Sequence, residues 1–328
     1  HKVLANHPEI SVIHLNHGLM ISFALWLKKD TKVPVVATLH GLDVVFPLSY
    51  YQSRLVPKFN RLNGIACVSR ATRAAAAERG INDNKLIVIT NGVDHKMAEP
   101  LTAGQTKEDL FQKYGIDPKA RILSGLGRAV KRKGYSWFVE NVLPSLPKDV
   151  VFVMCGPISD YGTRWWHQLL PASWVNSLAL MMGHPTDEPA LKSLAKQYPG
   201  RFIRTGHMAF TDIIQILKLS EAFVMPNIKV EGDMEGFGLV ALEAILAGTV
   251  VFAAGHEGIT DAIHDQLNGF LLPSGDVQQW VAQLNQHLKN PKTEEEKIAL
   301  QQYTLQHFSW EKMVSDYFNW FQIITKKG

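Results

Sequence analysis

Short β-branched runs alternate with helix-period segments along almost all of this sequence, and the runs themselves are apolar without a strict in-out alternation. Such strands are covered on both faces, which in practice means parallel sheets flanked by helices. The predicted strands are 10–15, 33–38, 64–68, 86–89, 121–126, 150–155, 201–204, 222–225, 249–254 and 269–272. Helical patterns fall near 50–62, 70–79, 107–114, 135–143, 188–197, 211–219, 238–247, 276–289 and 294–306. The fold class expected is therefore α/β.

The rhythm breaks once, at 91–119, where the polar, turn-rich stretch "NGVDHKMAEPLTAGQTKED" separates about four strands from six or more. This predicts two units: residues 1–94, a linker over 95–118, and residues 119–307. A last segment, 308–328, carries a helical stripe of Trp310, Met313, Val314, Tyr317, Phe318 and Phe321, which either returns across the seam to the first unit or closes the second. The first unit is short for a doubly wound domain and opens at His1 without a methionine. Both features lead to the expectation that a preceding segment is missing.

The stretch 231–255, "EGDMEGFGLVALEAILAGTVVFAAG", puts a single charge, Glu243, in the middle of the most apolar part of the chain. A bilayer helix rarely carries a carboxylate at its centre, and four glycines interrupt this one, so the stretch reads as loop, helix, turn and buried strand. Elsewhere, 20% charged residues and a net charge of +4 fit an anionic small molecule better than nucleic acid. Cys67 and Cys155 sit in separate apolar runs and read as reduced core thiols, which points to a reducing, cytoplasmic compartment. No metal-ligand motif is present, and none of the spacings calls for a metal or a bound cofactor.

Ligands of open α/β sheets bind beyond the carboxyl ends of the strands. Two loops there carry chemistry. In "GLGRAVKRKG", 125–134, two glycines allow a tight turn while Arg128 and Lys133 suit a diphosphate; a solvated basic loop is the plain alternative. In "DMEGFGLVALEA", Glu235 precedes a Gly-x-Gly turn whose N–H groups, from Gly236, Phe237, Gly238 and Leu239, would point at an anion above the helix start. Glu243 follows eight residues after Glu235, a spacing that suits two carboxylates gripping hydroxyls at opposite ends of a nucleotide sugar. A buried carboxylate satisfied by backbone donors is the alternative.

The combination "GRAVKRKG", "EGFGLVALEAILAG" and "TNGVD", together with "VVATLHGLD" and "RTGHMAFTDIIQILKLSEAFVMPN", resembles the family 4 glycosyltransferases, the retaining group with the GT-B fold. The resemblance implies two Rossmann-like doubly wound domains facing each other across a deep cleft, the first holding the acceptor and completed by 308–328, the second holding the donor. It implies that Arg128 and Lys133 bind the donor's diphosphate, that Glu235 contacts the donor sugar, that Glu243 holds the ribose, and that His40 faces the transferred sugar. Gly206 and His207 resemble the lining of the base pocket. His14 and His17 read as packing or capping groups. A hexosyltransferase using a nucleotide-diphosphate sugar, most simply a UDP- or GDP-sugar, without metal follows from the resemblance. A glycan, lipid-linked or small-molecule hydroxyl is the acceptor expected. A catalytically silent nucleotide-sugar-binding subunit and a phosphorylase or epimerase of the same fold are the rival readings. The basic, aromatic stretch 48–63, "LSYYQSRLVPKFNRLN", is either a peripheral contact with the inner membrane face or a half-buried surface helix.

Overall fold

The computed structural model describes residues 2–98, 106–158 and 186–326. Part of the expected linker, 99–105, lies outside the described residues. The first sheet holds β1 (Ile13–Leu15), β2 (Val35–Leu39), β3 (Gly64–Cys67) and β4 (Leu86–Val88) in the order β1-β2-β3-β4. The second holds β5 (Arg121–Leu126), β6 (Val150–Cys155), β7 (Phe202–Arg204), β8 (Ser220–Met225), β9 (Val250–Ala254) and β10 (Phe270–Leu272) in the order β10-β9-β8-β5-β6-β7. All described pairings within the two sheets are parallel. Residues of β2, β3, β6 and β9 are buried throughout, the physical counterpart of their unalternating apolar runs.

Strand order reverses in the second sheet. The chain builds outward from β5 through β6 to β7, then returns to lay β8 against the other side of β5. The crevice between β5 and β8 is thus the switch point at which such a sheet receives its ligand.

The expected strand 10–15 begins only at Ile13, because its partner strand starts after Pro34, whose ring nitrogen has no hydrogen to donate to the ladder. The expected helix over 50–62 is instead a π-helical turn, Tyr51–Leu55, followed by a 3-10 turn, Val56–Arg61. Pro57 explains the break: it lacks the amide proton that a continuous α-helix would need there. Tyr51 and Phe59 of this stretch belong to the first core, so the aromatic stripe is mostly internal and Tyr50 is left exposed.

The final helix, Trp310–Lys326, returns to the first sheet, where Trp320 and Ile324 pack on Val36, Ala66 and Ile89. Gly64 permits this, since a Cβ there would lie 2.8 Å from the Ile324 side chain and 2.9 Å from Trp320. Both cysteines are free and buried. Among the described residues no helix is long and apolar enough to cross a membrane.

Candidate active site

The loops after β5 and β8 form the candidate site. After β5 the chain passes Gly127 and the single 3-10 turn Lys131–Lys133, then Gly134 at φ 67°, where the next helix begins. Gly134 lies so close to the β8 loop that a Cβ there would sit 1.9 Å from the Pro226 carbonyl oxygen. The Ile228 N–H donates to the Arg132 carbonyl at 3.0 Å, a second tie between the loops.

This contact brings opposite charges together. Glu235 Oε2 accepts from Lys133 Nζ at 2.7 Å, from Asn227 Nδ2 at 3.1 Å, and from Arg132 Nη1. Arg132 also donates through Nε to Asp233 at 3.1 Å. Burial would raise the Glu235 carboxyl, but Lys133 and Arg132 outweigh it and hold its pKa at about 2. Burial lowers the Lys133 pKa, with Arg132 and Arg128 acting in the same direction against Glu235. For Arg132, burial is overcome by Glu235 and Asp233, which raise its pKa. Arg128 itself is exposed and has no ion pair among the described residues.

The Glu235 loop also touches the first domain. A Cβ on Gly236 would lie 1.9 Å from the His40 carbonyl oxygen, so the end of β2 and the glutamate loop meet peptide to peptide. The His40 N–H donates to the buried Asp43 at 2.8 Å, and Asp43 also accepts from Gly18 N–H at 2.9 Å, which pins the loops after β1 and β2 together. The His40 ring nitrogen Nε2 lies 3.2 Å from Asn16. Beside it opens a cavity of about 720 Å³ lined by Asn16, His40, Asn91, Leu239, Met313 and Tyr317, among others, so the two halves and the final helix share one wall.

The helix after this loop runs from Leu239 to Leu246 with Gly238 at φ 95° as its cap. Among the described residues the N–H groups of Gly236, Phe237, Gly238 and Leu239 donate to no acceptor. The Phe237 ring turns inward and packs edge-on against Phe308. Glu243 is half-buried on the helix, burial raises its pKa, and its carboxylate has no partner among the described residues.

Gly206 follows β7 and bridges to Gly156 at the end of β6, to the side of the switch point, with His207 exposed beside it. His17 caps the turn Gly18–Met20 through its ring, and His14 bonds Thr38 at 2.7 Å and packs on Tyr317. Arg132, Asp233, Asn227 and Asp43 are the groups that sequence reasoning missed. Only Arg132 left a signal, as one of the four basic residues between 128 and 133.

Two α/β units with parallel sheets and flanking helices make the GT-B architecture; among the described residues strand order reverses only in the second, where paired cations and a buried carboxylate meet at the switch point. The chain belongs to the family of glycosyl transferases group 1, which it matches over residues 106–303, and residues 1–96 match glycosyltransferase family 4. It is 25% identical over 283 residues to an uncharacterised glycosyltransferase of Methanocaldococcus jannaschii, covering 82% of this chain and 61% of that protein. It is 26% identical over 258 residues to a D-inositol 3-phosphate glycosyltransferase of Corynebacterium urealyticum, covering 75% of this chain and 54% of that protein. The chain thus spans just over half the length of these relatives. Among solved structures, Anabaena HepE in complex with UDP superposes with a TM-score of 0.75 at 20% identity, covering 98% of this chain and 81% of that one.

Proposed function

We propose that the chain is a metal-independent hexosyltransferase that moves a sugar from a nucleotide-diphosphate donor to a hydroxyl acceptor with retention. One observation carries this reading: Lys133 and Arg132 from the β5 loop converge on Glu235 from the β8 loop at the switch point of the second sheet. Cleavage of the glycosidic bond leaves extra negative charge on the departing diphosphate while the anomeric carbon becomes cation-like. Arg128, Lys133 and the N–H groups of 236–239, which have no acceptor among the described residues, stabilise the first, which is electrostatic work of the kind that preorganised donors do best. Glu235 meets hydroxyls of the donor sugar and His40 faces it from the first domain. Glu243 gains from ribose hydroxyls the partners it otherwise lacks. Gly206 and His207 border the base.

Residues 1–94 with the final helix, Trp310–Lys326, form the acceptor half, 119–307 the donor half, and 95–118 the linker. The cavity beside His40 is where a glycan, lipid-linked or small-molecule acceptor enters. UDP as the donor nucleotide is supported by the UDP and UDP-glucose complexes of Anabaena HepE. A cytoplasmic location fits two buried free thiols, and exposed Tyr50, Arg54 and Arg61 offer a peripheral contact with an anionic inner membrane face.

The test is Glu235→Gln, assayed with UDP- and GDP-sugars and an acceptor panel. Turnover is expected to fall by about a hundredfold or more while calorimetry still detects nucleotide binding. Full turnover in the variant would remove Glu235 from the chemistry.

A further inference from the structure

Lys133 has two claims on it. Its ammonium is held at 2.7 Å by Glu235 and is almost wholly buried, whereas the proposed reaction needs it on the donor's diphosphate. Left with a single cation, Glu235 would hold Lys133 back or, on its departure, remain as a buried unpaired charge, which is costly. The structure supplies a second cation. Arg132 donates to the same oxygen, Oε2, and its fork is anchored on its far side by Asp233 at 3.1 Å. Its backbone is tied down too, since its carbonyl accepts from Ile228 N–H at 3.0 Å. With a side-chain exposure of 15%, Arg132 has little freedom to follow a ligand into the cleft.

We propose that Arg132 is a positioning residue that keeps the Glu235 carboxylate neutralised and fixed, which frees the Lys133 ammonium to leave it for the donor's diphosphate. Two cations therefore share one carboxylate and divide when the donor arrives. The inference rests on the donor-site reading above and adds to it the division of labour between adjacent basic residues. Planar, bidentate geometry explains the choice of arginine, because a guanidinium can meet Asp233 and Glu235 at once while an ammonium cannot hold both with the same rigidity.

A double-mutant cycle read by calorimetry tests this, with UDP as the probe and GDP in parallel. Arg132→Met is expected to weaken nucleoside diphosphate binding about tenfold, a loss of one charge-assisted contact, because Lys133 is then the only cation left for Glu235. In Arg132→Met/Glu235→Gln no carboxylate remains to hold Lys133, and affinity is expected to return to within about threefold of the Glu235→Gln single variant. Merely structural damage from losing Arg132 would not be repaired by a second substitution. Arg132→Lys is expected to fall between wild type and Arg132→Met. If the Met variant does not fold, Arg132→Gln is judged by the same cycle. Wild-type protein that binds neither UDP nor GDP overturns the donor-site reading itself. Wild-type binding with no rescue by Glu235→Gln, or with undiminished affinity in Arg132→Met, overturns the role given to Arg132 alone.

Discussion

Glu235 and Glu243 lie on the same stretch of chain and experience opposite electrostatics. Three donors meet Glu235, and its folded pKa of about 2 lies below the ordinary glutamate value of 4.5. A depressed carboxyl contributes stability that is fully present above the unfolded pKa and is lost as pH falls towards the folded one. The stability gap between wild type and Glu235→Gln should therefore stay constant from pH 7 to about 4.5 and close towards pH 2, with about 3 kcal/mol lost by the variant at neutral pH because two cations are left behind. Urea midpoints across that range would show it, and a gap that widens on acidification would contradict the assignment. Glu243 runs the other way. Its pKa is raised by burial, so ionisation costs stability above that raised value. Glu243→Leu is expected to stabilise the ligand-free protein by about 1 kcal/mol at pH 7 while weakening UDP binding, a trade that thermal denaturation with and without UDP would display.

Among the elements, those with a strong local period were legible in the sequence. The helix Lys107–Tyr114 carries a capping box between Thr106 and Asp109, and its bounds match the expected 107–114. The stretch 50–62 was not legible in the same way, since its aromatic and basic mixture has a helical spacing that Pro57 interrupts. Apolar spacing likewise left open which core the last helix joins. In the structure Trp320 is buried on the first sheet, where Gly64 lets it approach. Trp320→Ala is expected to cost about 3–5 kcal/mol, detectable as a lowered denaturation midpoint, with the loss confined to the first domain if the two unfold separately. A variant as stable as wild type would mean the helix does not support that sheet.

Across the whole molecule the halves meet through several unlike contacts. Met234 of the glutamate loop joins the first core, Val93 pairs with Ser309, and Arg70 donates to Asp261 at 2.8 Å. The last is the least consequential. Arg70 is 72% exposed although Asp261 is only 6% exposed, so water screens the pair from the arginine side and Arg70→Ala should cost about 1 kcal/mol. A larger loss, measured by chemical denaturation, would make this pair a true clasp between the halves. The apolar and peptide contacts around Gly41, Met234 and Gly236 hold the β2 end against the glutamate loop, and they are what set His40 beside the cavity.

Periodicity, glycine placement and loop charge by themselves determined the parallel α/β class, ten strands in two groups, and the two loops that carry the candidate site. These are short-range properties: a strand's two-sided burial or a turn's need for glycine is written within a few residues. Only the tertiary structure decided that β8 lies against β5, and with it that Arg132 and Lys133 share one oxygen of a carboxylate about a hundred residues away. No local pattern carries that pairing, because it depends on which strands become neighbours after the chain reverses its direction of growth.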